Sequence, residues 1–406
     1  MILFNALVNY SRLQASVLRL LVPVLLVGSI CASSSLCNAQ EVDVWVGTSG
    51  KEGIYHLKLD TKNGKLSKPK NVSTIASAGF LALHPTQAIL YSSGREDGKH
   101  GIAAFSIETS EAAPAQPGDR NAKPRPANVE LTPLGFVETG GGGATCLSVD
   151  KTGKVAMSAQ YGGGTVSTYQ LEADGSIKRL VAAIDHGPGS NVIQKRQKAS
   201  HPHWVGTSPD NRFMMVPDLG KDCTVVYELD LETGEATKHS EVPGPPGGGP
   251  RHMKFHPVGK YAYVLNELSM TVSVFGYDES DAIFTPLQEI EALTDELKGD
   301  QFNSAAEIRI HPSGKFLYTS NRGHDSITAF AVDLESGELS LVHREAIRGA
   351  WPRNFNIDPS GKWLLAAGQQ TNTLSLFSID QETGRLTYSR KSVNIPVPIC
   401  VEFGSQ

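Results

Sequence analysis

Three ionisable side chains recur at one place in a repeated sequence pattern. Six residues before each of a series of tight turns, the chain carries His203, Arg251 and Arg353 in three copies, and Gly79, Thr145 and Ala306 in the others. One copy instead has Glu307 and Arg309 two apart, which places both on one face of an extended strand. The strand that would pair with this one ends on Arg95, Asp218, Glu267 and Arg322 in four copies, so these groups lie opposite the first set in an antiparallel hairpin. His252 adjoins Arg251. An imidazole or a carboxylate can take a proton from water. An Arg fork can bind a phosphate, a carboxylate or the oxyanion of an acyl intermediate. Salt bridges between repeats would use the same residue types but would spread them evenly. Concentrating Arg at the starts of innermost strands, where an unpaired charge costs most, favours an anionic ligand.

The elements that must position these residues repeat six times as an apolar strand, a turn and a second apolar strand. The copies read LALHPTQAILYSSG, LSVDKTGKVAMSAQ, VGTSPDNRFMMVPD, MKFHPVGKYAYVLN, IRIHPSGKFLYTSN and FNIDPSGKWLLAAG. Their turns fall at Pro85, Lys151, Pro209, Pro257, Pro312 and Pro359, about 50 to 65 residues apart, a period that implies a propeller or array. Two more strands follow each hairpin, joined by a recurring connector seen as DLETGEA, DLESGEL and DQETGRL, with Gly where a hairpin needs positive φ. The tail VPICVEF reads as an innermost strand with nothing after it, and EVDVWVGT, GIYHLKLD and KPKNVSTI supply three partners from the other end of the chain. Pairing the ends removes free sheet edges. The expected fold is therefore all-β, a seven-bladed propeller of four antiparallel strands per blade, occupying 40–406 and closed by N- and C-terminal strands sharing one blade.

Residues 1–39 read as a secretion signal, with Arg12 and Arg19 before the apolar run 20–30 and a small-residue cleavage context ending at Ala39. Cys31 follows Ile30 and so lacks the small-residue context of a lipid anchor. The apolar run is short for a membrane span, and export to the periplasm or exterior is expected. Cys146, Cys223 and Cys400 lie in or beside apolar strands and read as buried thiols. His84, His256 and His311 share one turn position in separate repeats and read as packing residues. A net charge of −5 with scattered signs argues against a nucleic-acid partner. The Gly runs 140–143, 162–164 and 247–249 lack the Lys and helix of a nucleotide loop; the last is expected to shape the approach to Arg251. Two stretches interrupt the pattern: a Pro/Ala-rich surface loop at 108–130, and 186–200, which either covers the mouth of the ring or is a plain surface loop. A ring closes on itself, so a monomer is expected, and the chemistry calls for no metal or other cofactor.

The segments SPDNRFMMVPDLGKD, GGGPRHMKFHPVGKYAYVLNEL, AEIRIHPSGKFLYTSNRGHDSI and WPRNFNIDPSGKWLLAAGQ resemble the seven-bladed-propeller lactonase family, which includes 6-phosphogluconolactonase-type enzymes and carboxymuconate cyclases. The resemblance runs from about Val42 to Phe403. It implies an active site at His203, Arg251, Glu267 and Arg309, a sugar lactone or sugar acid as partner, and water as the nucleophile. Val205 and Ala144-Thr145-Cys146 depart from the His-containing motifs of that family. Within this reading Glu267, Glu307 or His203 takes the proton, Arg251 and Arg309 stabilise the oxyanion, and Arg353 or Arg322, with Asp218 and His252, contact the substrate. The same residues could serve the reverse, lactonising reaction, or a non-catalytic propeller that binds a saccharide or a protein.

Overall fold

The computed structural model describes residues 41–110, 128–299 and 301–404. The expected secretion signal and most of the Pro/Ala-rich loop fall outside them. The ends of that loop do not: Lys99–Ser110 pairs with Asn128–Glu138 through Glu108 opposite Glu130 and Ser110 opposite Asn128. The hairpin thus continues three residues into each end of the segment read as loop.

The described residues form seven sheets, six of four strands in simple up-and-down order and one that joins the first and last described strands. We number the blades by chain order: blade 1 (81–138), blade 2 (146–185), blade 3 (206–243), blade 4 (250–291), blade 5 (304–346) and blade 6 (352–394). Blade 7 joins Pro398–Phe403 as its innermost strand to Glu41–Thr48 and Ile54–Asp60, with Val44 opposite Phe403 and Val46 opposite Val401. Its outer edge is split into Lys65–Leu66 and Lys70–Ser73, both paired with Ile54–Asp60, where one outer strand was expected.

Alternation along the strands puts the apolar set between blades. Leu81, Leu147, Met253, Ile308 and Phe355, each four residues before its turn, are fully buried. The turn histidines are packing residues, as expected, and each latches one blade to the next. His84 meets the Gly153 carbonyl at 3.2 Å, His256 that of Gly314 at 3.0 Å and His311 that of Gly361 at 2.8 Å. Gly314 has φ +75° and a Cβ there would fall 2.5 Å from His256 Nε2, so both the turn and the latch require Gly. A second set of latches comes from the second strands: Tyr91, Tyr263 and Tyr318 donate to the carbonyls of Gly175, Gly337 and Gly384 in the following blade. Cys146, Cys223 and Cys400 are free, buried thiols.

Candidate active site at one mouth of the channel

Backbone pairing sets the ends of the second strands beside the starts of the innermost ones. Pro202 bridges Asp218, Pro250 pairs with Asn266 beside Glu267, and Ser304 pairs with Arg322. What simple alternation does not give is the way the side chains are aimed. The ladder register shifts between Pro250 and His252, between Ala305 and Ile308, and between Pro352 and Asn354. Each break is a β-bulge at the residue expected to do chemistry, and a bulge re-aims a side chain. As a result the sequence neighbours Arg251 and His252, and likewise Arg353 and Asn354, face one cavity of about 100 Å³, with Gly79 and Thr145 opposite.

Glu267 is the hub of this mouth. Its Oε2 accepts from Arg251 Nε at 2.9 Å and lies 3.0 Å from Arg322 Nη2. Its Oε1 accepts from Arg196 Nη2 at 2.6 Å. Burial alone would raise the Glu267 carboxyl; Arg322 and Arg251, with the Arg196 hydrogen bond, outweigh it and hold the group at about 2. Arg251 is almost fully enclosed, and burial and then the like charge of Arg322 push it down to about 9, still a cation at neutral pH. Burial, followed by Arg322, lowers Arg353 to about 10. Among the described residues Arg353 forms no ion pair, so four guanidinium groups converge on a mouth whose nearest carboxylate is already shared by three of them.

A hydrogen-bonded series runs inward from this hub. Arg251 Nη1 donates to His252 Nε2 at 3.0 Å. A guanidinium has no lone pair to offer, so His252 must accept at Nε2 and carry its proton on Nδ1, which donates to Glu307 Oε1 at 3.1 Å. Glu307 also accepts from the Ile308 amide at 3.0 Å and from Asn354 Nδ2. Burial pushes His252 down to about 3 against the pull of Glu307. Burial opposes ionisation of Glu307 too, but Arg309 and His252 hold it well below the carboxylate range. His203 packs edge-on against His252, ring centroids 5.2 Å apart, and against Tyr161 at 5.4 Å. Its Nδ1 is enclosed without a hydrogen-bond partner. Burial first, then Arg251, His252 and Arg353, keep its imidazole neutral far below the ordinary histidine range.

Of the groups expected at this mouth, His203, Arg251, His252, Glu267, Arg322 and Arg353 come together, with Glu307 just behind them. Three do not join them. Arg309 lies on the other side of Glu307: its Nη2 binds Glu402 at 3.2 Å and its Nε the Phe355 carbonyl at 3.3 Å. Two residues further along a strand is about 6–7 Å further down the channel, which carries it to the opposite end. Asp218 is buried, but its carboxylate is spent on His186 Nδ1 at 2.8 Å and on the amides of His201, Gly220 and Lys221. It anchors 186–200 and offers nothing to a ligand. Arg95 is exposed and donates to the Gly98 carbonyl.

The segment 186–200 does reach the mouth, through Arg196, a residue that the strand pattern could not single out. Asp222 fastens it there, accepting from Ser190 Oγ at 2.8 Å and from Gln197 Nε2. The same carboxylate accepts from the amides of Gly247 and Gly249, so the Gly run before Arg251 is held to the covering segment.

Residues 43–403 match the family described as "Lactonase, 7-bladed beta-propeller". The 6-phosphogluconolactonase of Bacillus subtilis (strain 168) is 36% identical over 363 residues, 88% of this chain and 97% of its own. That of Formosa agariphila is 33% identical over 312 residues, covering 75% of this chain and 82% of its own. A solved structure described as a periplasmic gluconolactonase of Pseudomonas aeruginosa superposes with TM-score 0.78 at 28% identity, over 90% of this chain and 99% of that one. With the blades, the bulged inner strands and these similarities in agreement, the chain belongs to the seven-bladed β-propeller lactonase family.

Proposed function

We propose that the protein hydrolyses an anionic sugar lactone of the 6-phosphoglucono-δ-lactone type at the Arg-rich mouth. The observation that carries this reading is the surplus of cations there: Arg353 and Arg251 face the cavity while Glu267 is shared by Arg251, Arg322 and Arg196. An anion from the substrate completes the charge balance that the protein leaves open. Arg251 spends Nε on Glu267 and Nη1 on His252, which leaves Nη2 for the oxyanion formed when water adds to the lactone carbonyl. Arg353 holds the phosphate or a carboxylate. His203, neutral at physiological pH, takes the proton of the attacking water and returns it to the ring oxygen as the C1–O5 bond breaks. The product is the open hydroxy acid, which ionises to its carboxylate and one proton. Glu267 and Glu307 already accept from Arg251, Arg322 and Arg196 and from His252, Asn354 and the Ile308 amide, and act by fixing Arg251 and His252.

Export is part of the proposal. It rests on the expected signal at 1–39 and on the likeness to a periplasmic gluconolactonase; among the described residues no helix is long and apolar enough to cross a membrane. That likeness favours a second reading, in which the substrate is glucono-δ-lactone without a phosphate and Arg353 meets the carboxylate of the product. The test is hydrolysis of both lactones by the protein, corrected for the spontaneous rate, with Arg251→Ala alongside. Acceleration that drops by about 10²-fold or more in the variant supports a lactonase, and the ratio between the two substrates decides the phosphate. No acceleration of either lactone overturns the proposal.

A further inference from the structure

The channel has a second cavity, of about 370 Å³, at the end opposite the Arg-rich mouth. Lys254, Trp204, Arg309 and Glu402 line it over an apolar wall that includes Leu83 and Leu147. It is walled off from the first cavity by Glu307, whose carboxylate holds both His252 and Asn354 from behind.

Both carboxylates at this end are spent. Glu307 accepts from His252, Asn354 and the Ile308 amide. Glu402 accepts from Arg309 at 3.2 Å and from Asn356 at 3.2 Å. Arg309 is spent too, on Glu402 and the Phe355 carbonyl. Lys254 is the exception. Its ammonium sits over the Trp204 ring, 5.1 Å from the centroid, and among the described residues it forms no ion pair. A cation without an ion pair beside Trp204, Leu83 and Leu147, in a cavity whose other charged groups already hold one another, describes a ligand with one anionic end and an apolar body.

We propose that this cavity is a second binding site, which takes a small aliphatic or aromatic monocarboxylate, its carboxylate on Lys254 and its body against Trp204, Leu83 and Leu147. A polyhydroxylated sugar acid is disfavoured here, because few open polar groups would receive its hydroxyls. The site does not depend on the lactonase reading, since His203 and Arg251, the residues proposed above for proton transfer and oxyanion binding, do not line it.

The experiment is titration of the protein with hexanoate, followed by tryptophan fluorescence and by calorimetry, with inorganic phosphate and gluconate as comparison probes. A Trp351→Phe background removes the tryptophan that lies beside Arg322 at the other mouth. The expected result is saturable hexanoate binding that weakens about tenfold or more in Lys254→Met, as loss of a charge-assisted bond requires, and that survives Arg353→Ala. The unbranched chain of Met keeps the contact with Trp204, and an unchanged melting temperature shows that the variant folds. Hexanoate binding indifferent to Lys254→Met, or lost in Arg353→Ala, overturns the proposal. So does phosphate or gluconate binding in a Lys254-dependent way where hexanoate does not, and so does an absence of hexanoate binding.

Discussion

Replacing Glu267 by Gln separates two roles that the sequence leaves equal. If Glu267 is the base that activates water, the isosteric amide removes catalysis and leaves the fold alone. The geometry points the other way, because this carboxylate neutralises Arg251, Arg322 and Arg196 at distances of 2.9, 3.0 and 2.6 Å. Removing one partner of a buried ion pair costs about 3–5 kcal/mol. At about 2.1 cal/mol/K per residue over a domain of about 360 residues, that becomes a fall in melting temperature of about 4–7 °C. The amide also keeps one oxygen but turns an N–H₂ toward guanidinium donors, so relaxation will not recover the loss. The assay is thermal melting together with kcat and KM, on Glu267→Gln, Arg322→Met and the double variant. The expected result is a large loss of stability in Glu267→Gln, partly restored in the double variant because one stranded cation is gone. An unchanged melting temperature in Glu267→Gln, combined with loss of kcat alone, would refute the clamp argument and restore Glu267 as the base.

Arg353→Ala should raise KM for an anionic lactone at least about tenfold, the worth of one charge-assisted hydrogen bond, while leaving the melting temperature equal or higher, since burial and Arg322 already disfavour its charge; a stability loss without a KM effect would show a structural cation instead. Because the proposed base, His203, is held well below the ordinary histidine value, kcat/KM should stay flat from about pH 8 to 6, and an acid limb centred near the unperturbed value of about 6.5 would exclude it. The same shifts set the sign for stability. His252, lowered from 6.5 to about 3, and His203 contribute fully above the unfolded value and lose their contribution as pH falls from about 6.5 toward 3. Melting temperatures at pH 7.5 and 5 should therefore decline toward acid, and less so in His252→Asn. Asp218→Asn should leave the propeller folded but loosen 186–200, read as faster amide exchange there and a weaker Arg196 effect on KM; an unaltered exchange pattern would contradict its anchoring role.

The fold was legible because its signals are periodic and local. Six turns recurring about 50 to 65 residues apart, a connector with Gly at its positive-φ position, and an orphan innermost strand near the C-terminus leave few ways to close a ring. The outer edge of blade 7 was less legible: Lys65–Leu66 and Lys70–Ser73 are short, polar and half exposed, so packing writes little into their sequence. At the site the backbone pairing could be read and the side-chain aim could not. Counting by twos assumes an unbroken ladder, yet the register breaks at Arg251, at Glu307 and at Arg353. The bulges bring His252 and Asn354 into the cavity beside their neighbours. Arg309, past its own bulge, keeps the ordinary alternation and descends to the far end. Arg196 and Asp222 were out of reach because long-range contacts of an irregular segment leave no periodic trace.

The arrangement at the mouth also explains why the protein tolerates it. Among the described residues Arg322 Nε is buried without a partner and Arg353 has no counter-ion, and burial lowers the guanidinium of Arg251. Each of these disfavours the empty protein, and the inter-blade latches of His256, His311 and the second-strand tyrosines offset them elsewhere in the ring. An anion bound at the mouth would reverse all three at once, since it screens Arg251, Arg322 and Arg353 from one another. Ligand binding must then raise stability by RT ln(1 + [L]/Kd), about 2.7 kcal/mol at a hundredfold excess over Kd. On the scale used above, that is a rise of about 3–4 °C. A ligand held by its carboxylate or phosphate should lose this effect in Arg353→Ala. If 6-phosphogluconate stabilised wild type and variant equally, its anion would be bound somewhere other than the mouth, and the surplus of Arg would be a packing feature of blades 4 to 6.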